Sequence, residues 1–250
     1  MTAPDTAGAN RGPEPRTSLQ IARELKALLM ASGEQGPYVL VGHSFGGFNV
    51  RVFTSLFPKD VAGVVFADAS HEDEEDRINA MLPAAVRERE KAEQRSREIL
   101  DPILAPLRIH LGFKRWQAMA RWRGPTDLPK DVLQELFYLR QQAKYRSAVQ
   151  SENKLDAQSG EQARAAGNFG ERPLIVLTAG NPYEDPDPLL TKEDTDKQYN
   201  LWVNDLQVQF ARLSTRGKQI VVSGSGHMIP FERPDAVVAA VREIWSAVQR

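Results

Sequence analysis

"YVLVGHSFGGFNVRVF", residues 38–53, decides how the rest of the chain is read. Four apolar residues run straight into Gly42-His43-Ser44-Phe45-Gly46-Gly47. A run that continuous suits a strand buried on both faces, not one half exposed. "GGFNVRVFTSLFP" then has the spacing of a helix that stops at Pro58, and "VAGVVFADAS", residues 61–70, is a second buried strand. Strand, helix and strand in about thirty residues form the repeating unit of a parallel sheet.

Working outward, Thr17 or Ser18 caps a helix carrying Ile21, Leu25, Leu28 and Leu29 on one face and ending near Gly33. Residues 1–16, rich in Gly, Pro, Ala and Thr, read as an irregular tail. Past residue 71 charge rises sharply, and helical spacing recurs around 83–98 and 130–155 without a convincing strand. The strand pattern resumes in "RPLIVLTAG" (172–180), followed by a helix near 194–214 with Trp202, Leu206, Phe210 and Leu213 on one face. "KQIVVSGSGH" (218–227) gives a fourth strand, and "RPDAVVAAVREIWSAV" (233–248) a closing helix with proline in its first turn. The expected architecture is α/β: a parallel sheet of about four strands with flanking helices. A helical cap, 72–169, is inserted between the second and third strands, and the core comprises 17–71 and 170–250.

Composition narrows the function. Across 250 residues, 32 Lys+Arg nearly balance 33 Asp+Glu, which leaves no field to draw in nucleic acid or anionic membrane. A small-molecule or protein partner is favoured instead. The chain has no cysteine, which excludes disulfides and thiolate metal sites and agrees with a reducing compartment. The N-terminus lacks a secretory pattern and no apolar run approaches the ~20 residues of a membrane span, so the expectation is a cytoplasmic protein.

Gly42-His43-Ser44-Phe45-Gly46 fits the G-x-S-x-G elbow, with the required strand before it and helix after it. The turn lifts the serine hydroxyl clear of the sheet, and small flanking residues prevent collisions with the strand and helix. It also puts the Phe45 N–H at a helix N-terminus, where it can stabilise an oxyanion. A serine needs a base, and the chain has four histidines: His43, His71, His110 and His227. His227 follows the last strand on the side where parallel-sheet sites assemble. His43 sits inside the elbow as a packing or pocket residue, and His110 reads as structural. For the carboxylate that orients the imidazole, Asp68 ends an apolar strand where an unpaired charge would be costly. Glu184 and Asp185, in the acidic loop after the third strand, are its competitors.

Together "GHSFGG", "VVFADASHED", "GSGHMIPFERPDAVVAAV" and the helical insertion resemble the α/β-hydrolase superfamily, nearest to bacterial esterase/lipase-like hydrolases. The resemblance spans about residues 17–250. It implies Ser44 as nucleophile, His227 as base, Phe45 as backbone oxyanion donor, and an acid at Asp68 or one strand later. It implies a serine hydrolase of carboxylic esters or similar acyl compounds, without cofactor or metal. A serine at position 44 argues against the haloalkane and epoxide branches, which use aspartate there.

Members of that superfamily have three or four strands ahead of the elbow strand, whereas only 37 residues precede Tyr38 here. The chain therefore reads as lacking the N-terminal strands, with the elbow strand as an exposed edge open to self-association. The alternative this raises is an impaired remnant that acts as an interaction module or needs a partner to complete its sheet. "HEDEED" (71–76) reads as a solvated face, although His71 is placed to border a pocket. Phe113, Trp116, Trp122, Phe137 and Tyr138 read as core of the insertion, or as the wall of an acyl pocket.

Overall fold

A computed structural model of the chain describes residues 15–110, 129–182 and 187–249. Four strands, β1 (Tyr38–His43), β2 (Val61–Ala67), β3 (Leu174–Ala179) and β4 (Gly217–Val222), form one sheet in that order. Every neighbouring pair is parallel, with His43 opposite Ala67 and Ala67 opposite Leu177. Both central strands consist almost entirely of buried residues, as their unbroken apolar runs require.

One face of the sheet is covered by helices α1 (Ser18–Ala31) and α2 (Gly46–Leu56), with Phe48, Phe53, Phe66, Val176 and Phe210 in the core between. On the other face Val65, Ile175 and Leu177 meet Ala240 and Ile244 of the closing helix. Each buried Val, Ile, Leu or Phe among these contributes about 1.5–3 kcal/mol on leaving water. Between β2 and β3 lie α3 (Glu74–Met81), α4 (Ala84–His110), α5 (Lys130–Gln141), α6 (Ala143–Lys154) and α7 (Asp156–Ala165). The chain divides into two compact units, one containing Leu82–Val149 and the other Gly12–Met81 with Gln150–Arg250. The first is helical in its described residues apart from short links such as Leu82–Pro83 and Gln142. The second holds the whole sheet.

Two local features differ from a simple reading of the sequence. Thr17 is the N-cap of α1, but its side chain makes no capping bond. Instead Ser159 and Gln162 of α7 accept from the Ser18 and Leu19 N–H groups at 3.1 and 2.8 Å, so the unpaired donors of the first turn are met by a neighbouring helix. The segment near 194–214 is not one regular helix. It comprises α8 (Lys192–Leu201), a π-helical turn (Trp202–Leu206) and α9 (Gln207–Ala211). Between β4 and the C-terminus lie α10 (Ile229–Glu232) and α11 (Pro234–Val248).

β1 stands at one end of the described sheet, with Val41 43% exposed, and β4 stands at the other. Among the described residues no helix is long and apolar enough to cross a membrane.

Candidate active site

Ser44 leaves β1 with φ +53°, a left-handed backbone that a residue bearing a Cβ adopts only at a cost of order 1–3 kcal/mol. The turn is closed by its own carbonyl, which accepts from Gly47 N–H at 2.9 Å and Ser70 N–H at 3.0 Å. A Cβ on Gly42 would stand 2.8 Å from the Gly46 carbonyl oxygen, and one on Gly47 would stand 2.6 Å from the Ala69 Cβ. On Gly46 it would meet nothing within 4 Å. The steric demand on the helix side therefore falls on Gly47, one residue beyond the motif. Phe45 has helical dihedrals and caps α2, so its N–H belongs to the partly positive end of that helix.

Asp68 follows β2 as Ser44 follows β1, also with a left-handed backbone, φ +46°. It is 2% exposed, and its N–H donates to the Leu177 carbonyl at 2.7 Å. The carboxylate oxygens have separate partners. Oδ1 accepts from Ala179 N–H at 2.9 Å and from the Trp202 indole Nε1–H at 2.8 Å. Oδ2 lies 2.8 Å from His227 Nδ1. With Nδ1–H directed at a carboxylate, the neutral ring holds its free lone pair on Nε2, the form a general base requires. The hydrogen bond to Asp68 is the main cause that raises the His227 pKa above its ordinary value, against the opposing effect of burial.

His43 binds the backbone that carries the imidazole. Its Nε2–H donates to the His227 carbonyl at 2.8 Å, and the two rings lie 4.7 Å apart, centre to centre. Burial lowers its pKa, so it serves as a neutral donor near pH 7. Glu184 and Asp185 lie outside the described residues, as do Phe113, Trp116 and Trp122. His110 closes α4, and Tyr138 on α5 is 64% exposed.

The acidic run after Asp68 is structured. Glu72 pairs with Arg51, a buried residue of α2, and Asp73 pairs with Arg164 at 2.8 Å. His71, 6% exposed, packs at a tilt against the Phe210 ring, and its Nδ1 accepts the Asp73 N–H at 3.1 Å. Burial lowers its pKa. Glu74 is the exceptional member: burial, with the charge of Asp68 adding to it, pushes its carboxyl up to about 7. His71, Glu74, Phe48, Ile78 and Asp156 border a cavity of about 450 Å³ between α3 and α7. Ser70, which bonds the Ser44 carbonyl, is also in its wall.

The indole of Trp202 and the N–H of Ala179 on Asp68 were not legible in the sequence. A tryptophan at helical spacing reads as core, and a backbone donor carries no residue signature.

Residues 2–240 match the alpha/beta hydrolase family. Among curated proteins, a "probable transporter", efuK of Hormonema carpetanum, is 25% identical over 93% of this chain, which spans 32% of that protein's length. Among solved structures, Cfl2 of Burkholderia cenocepacia superposes with a TM-score of 0.59 at 17% identity, covering 92% of this chain and 73% of that one. A "probable hydrolytic enzyme" of Pseudomonas aeruginosa superposes with a TM-score of 0.52 at 15% identity, covering 93% and 70%. At such identities these structures are similar in fold alone.

Proposed function

Because this chain belongs to the alpha/beta hydrolase family, we propose that it is a serine hydrolase acting on a carboxylic ester or a similar acyl compound. One observation carries the reading: a buried carboxylate fixes His227 in the tautomer of a base, at the same end of the parallel sheet as a strained serine turn. Ser44 Oγ attacks the acyl carbon as His227 Nε2 takes its proton. The negative charge on the carbonyl oxygen is met by Phe45 N–H at the start of α2. The imidazolium, stabilised by Asp68, then protonates the leaving alcohol. Water, deprotonated by His227, releases the acid and restores the serine.

Incubation with a fluorophosphonate reporter tests this. The chain should be labelled, and Ser44→Ala should abolish labelling. Asp68→Asn should fold normally and lower turnover of an activated ester by about 10⁴. A folded chain that neither labels nor hydrolyses would refute the proposal.

A further inference from the structure

We propose that Trp202 is a positioning residue for the Asp68–His227 pair, and that the π-turn is the device that makes it one. The proposal rests on the hydrolase reading for its effect on rate, and on geometry for the rest.

In an α-helix, residues five apart point about 140° away from each other. Trp202 and Gln207 are five apart, yet both reach the same short segment after β2. Trp202 Nε1–H donates to Asp68 Oδ1 at 2.8 Å, and Gln207 Nε2–H donates to the Ala69 carbonyl at 2.8 Å. The π-turn reconciles the two. Its i→i+5 bond, Gln207 N–H to Trp202 carbonyl, inserts an extra residue in the turn and brings both side chains onto one face. Both are buried, Trp202 at 6% exposure and Gln207 at 0%. The rest of the turn is anchored independently. Val203 carbonyl accepts from Gln219 of β4 at 2.8 Å, and Asp205 pairs with Arg77 of α3.

The consequence for Asp68 is a division of labour between its oxygens. Ala179 N–H and the indole hold Oδ1, so the carboxylate cannot rotate, and Oδ2 is left to the imidazole. The indole N–H also draws electron density from the carboxylate and tempers its hold on the imidazolium. Without that donor the carboxylate binds the charged ring more strongly but is held in place less well. The titration of His227 should then move to higher pH, and kcat should fall while KM is unchanged.

The test uses the full chain with Trp202→Phe, and with 3-benzothienylalanine at position 202, which keeps the bicyclic shape but replaces the N–H by sulfur. His227 is titrated by NMR, and kcat and KM for an activated ester are measured across pH. In both variants we expect His227 to titrate at higher pH. We also expect kcat to be about tenfold lower, the scale of one hydrogen bond to a charged group, with KM within twofold. If the His227 titration is unmoved in the folded benzothienylalanine variant, Trp202 is only packing and the proposal is overturned. If the titration moves but wild-type turnover survives Ser44→Ala, the positioning role stands and the hydrolase reading fails.

Discussion

Replacing Glu74 by Gln should make the protein's stability less sensitive to a rise in pH from about 4.5 to about 7. Its carboxyl titrates at an ordinary 4.5 in the unfolded chain and is pushed up to about 7 in the folded one, chiefly by burial. Below pH 4.5 both states are protonated, and the group contributes its full stabilisation. As pH rises, the unfolded chain releases its proton first, so the stabilisation is lost progressively until the folded carboxyl also ionises near pH 7. At 1.36 kcal/mol per unit this amounts to about 3 kcal/mol. Glutamine, neutral throughout, loses nothing. Urea unfolding of both proteins between pH 4.5 and 8.5 isolates the effect, because a difference between the two removes the titrations they share. The groups acting on Glu74 (Asp68, His227, Asp156 and the backbone of His71) are common to both proteins. The stability of Glu74→Gln minus wild type should rise by about 3 kcal/mol across that range. A difference flat to within about 0.5 kcal/mol would refute the burial argument.

The buried ion pair and the elbow each make a further prediction. Arg51→Met leaves the Glu72 carboxylate buried without its partner and should cost about 3–5 kcal/mol by urea unfolding. Adding Glu72→Gln should recover most of that, and an equal loss in single and double variants would contradict the pairing. Gly42→Ala drives a methyl into the Gly46 carbonyl and should cost about 1–3 kcal/mol and slow fluorophosphonate labelling. Gly46→Ala, entering open space, should stay within about 0.5 kcal/mol of wild type by the same denaturation assay.

Much of this arrangement is readable from residues because burial leaves a plain trace in a parallel sheet. Val61–Ala67 and Leu174–Ala179 are apolar on both faces, so these strands follow from pattern alone. Asp68 was conspicuous as a charge ending such a run, and the structure places it against His227. What pattern misses is geometry that side-chain type does not encode. A period of 3.6 passes over the π-turn because Trp202, Leu206 and Phe210 remain apolar and buried whether or not a residue is inserted. The glycine motif points at Gly46, yet the close approach is at Gly47, since contact with Ala69 depends on how α2 lies against the chain after β2. Ser159 and Gln162 as caps of α1 are likewise long-range partners, with no local signature at Ser18.

The pairing of His43 with Ala67 has a wider consequence. Ser44 and Asp68 are the next residues on adjacent strands, so each steps off the sheet at the same rung. Adjacent strands lie about 4.8 Å apart, a spacing fixed by the hydrogen-bond ladder. The distance between the proposed nucleophile and acid is thus a lattice constant of the sheet, independent of the long chain that separates β2 from β3. Among the described residues Leu82–Val149 contributes no strand to the sheet, so its length and composition can change without moving that rung. A slip of one residue between β1 and β2 is another matter: it would put the two groups on different rungs. Selection on the proposed chemistry therefore acts here on strand register.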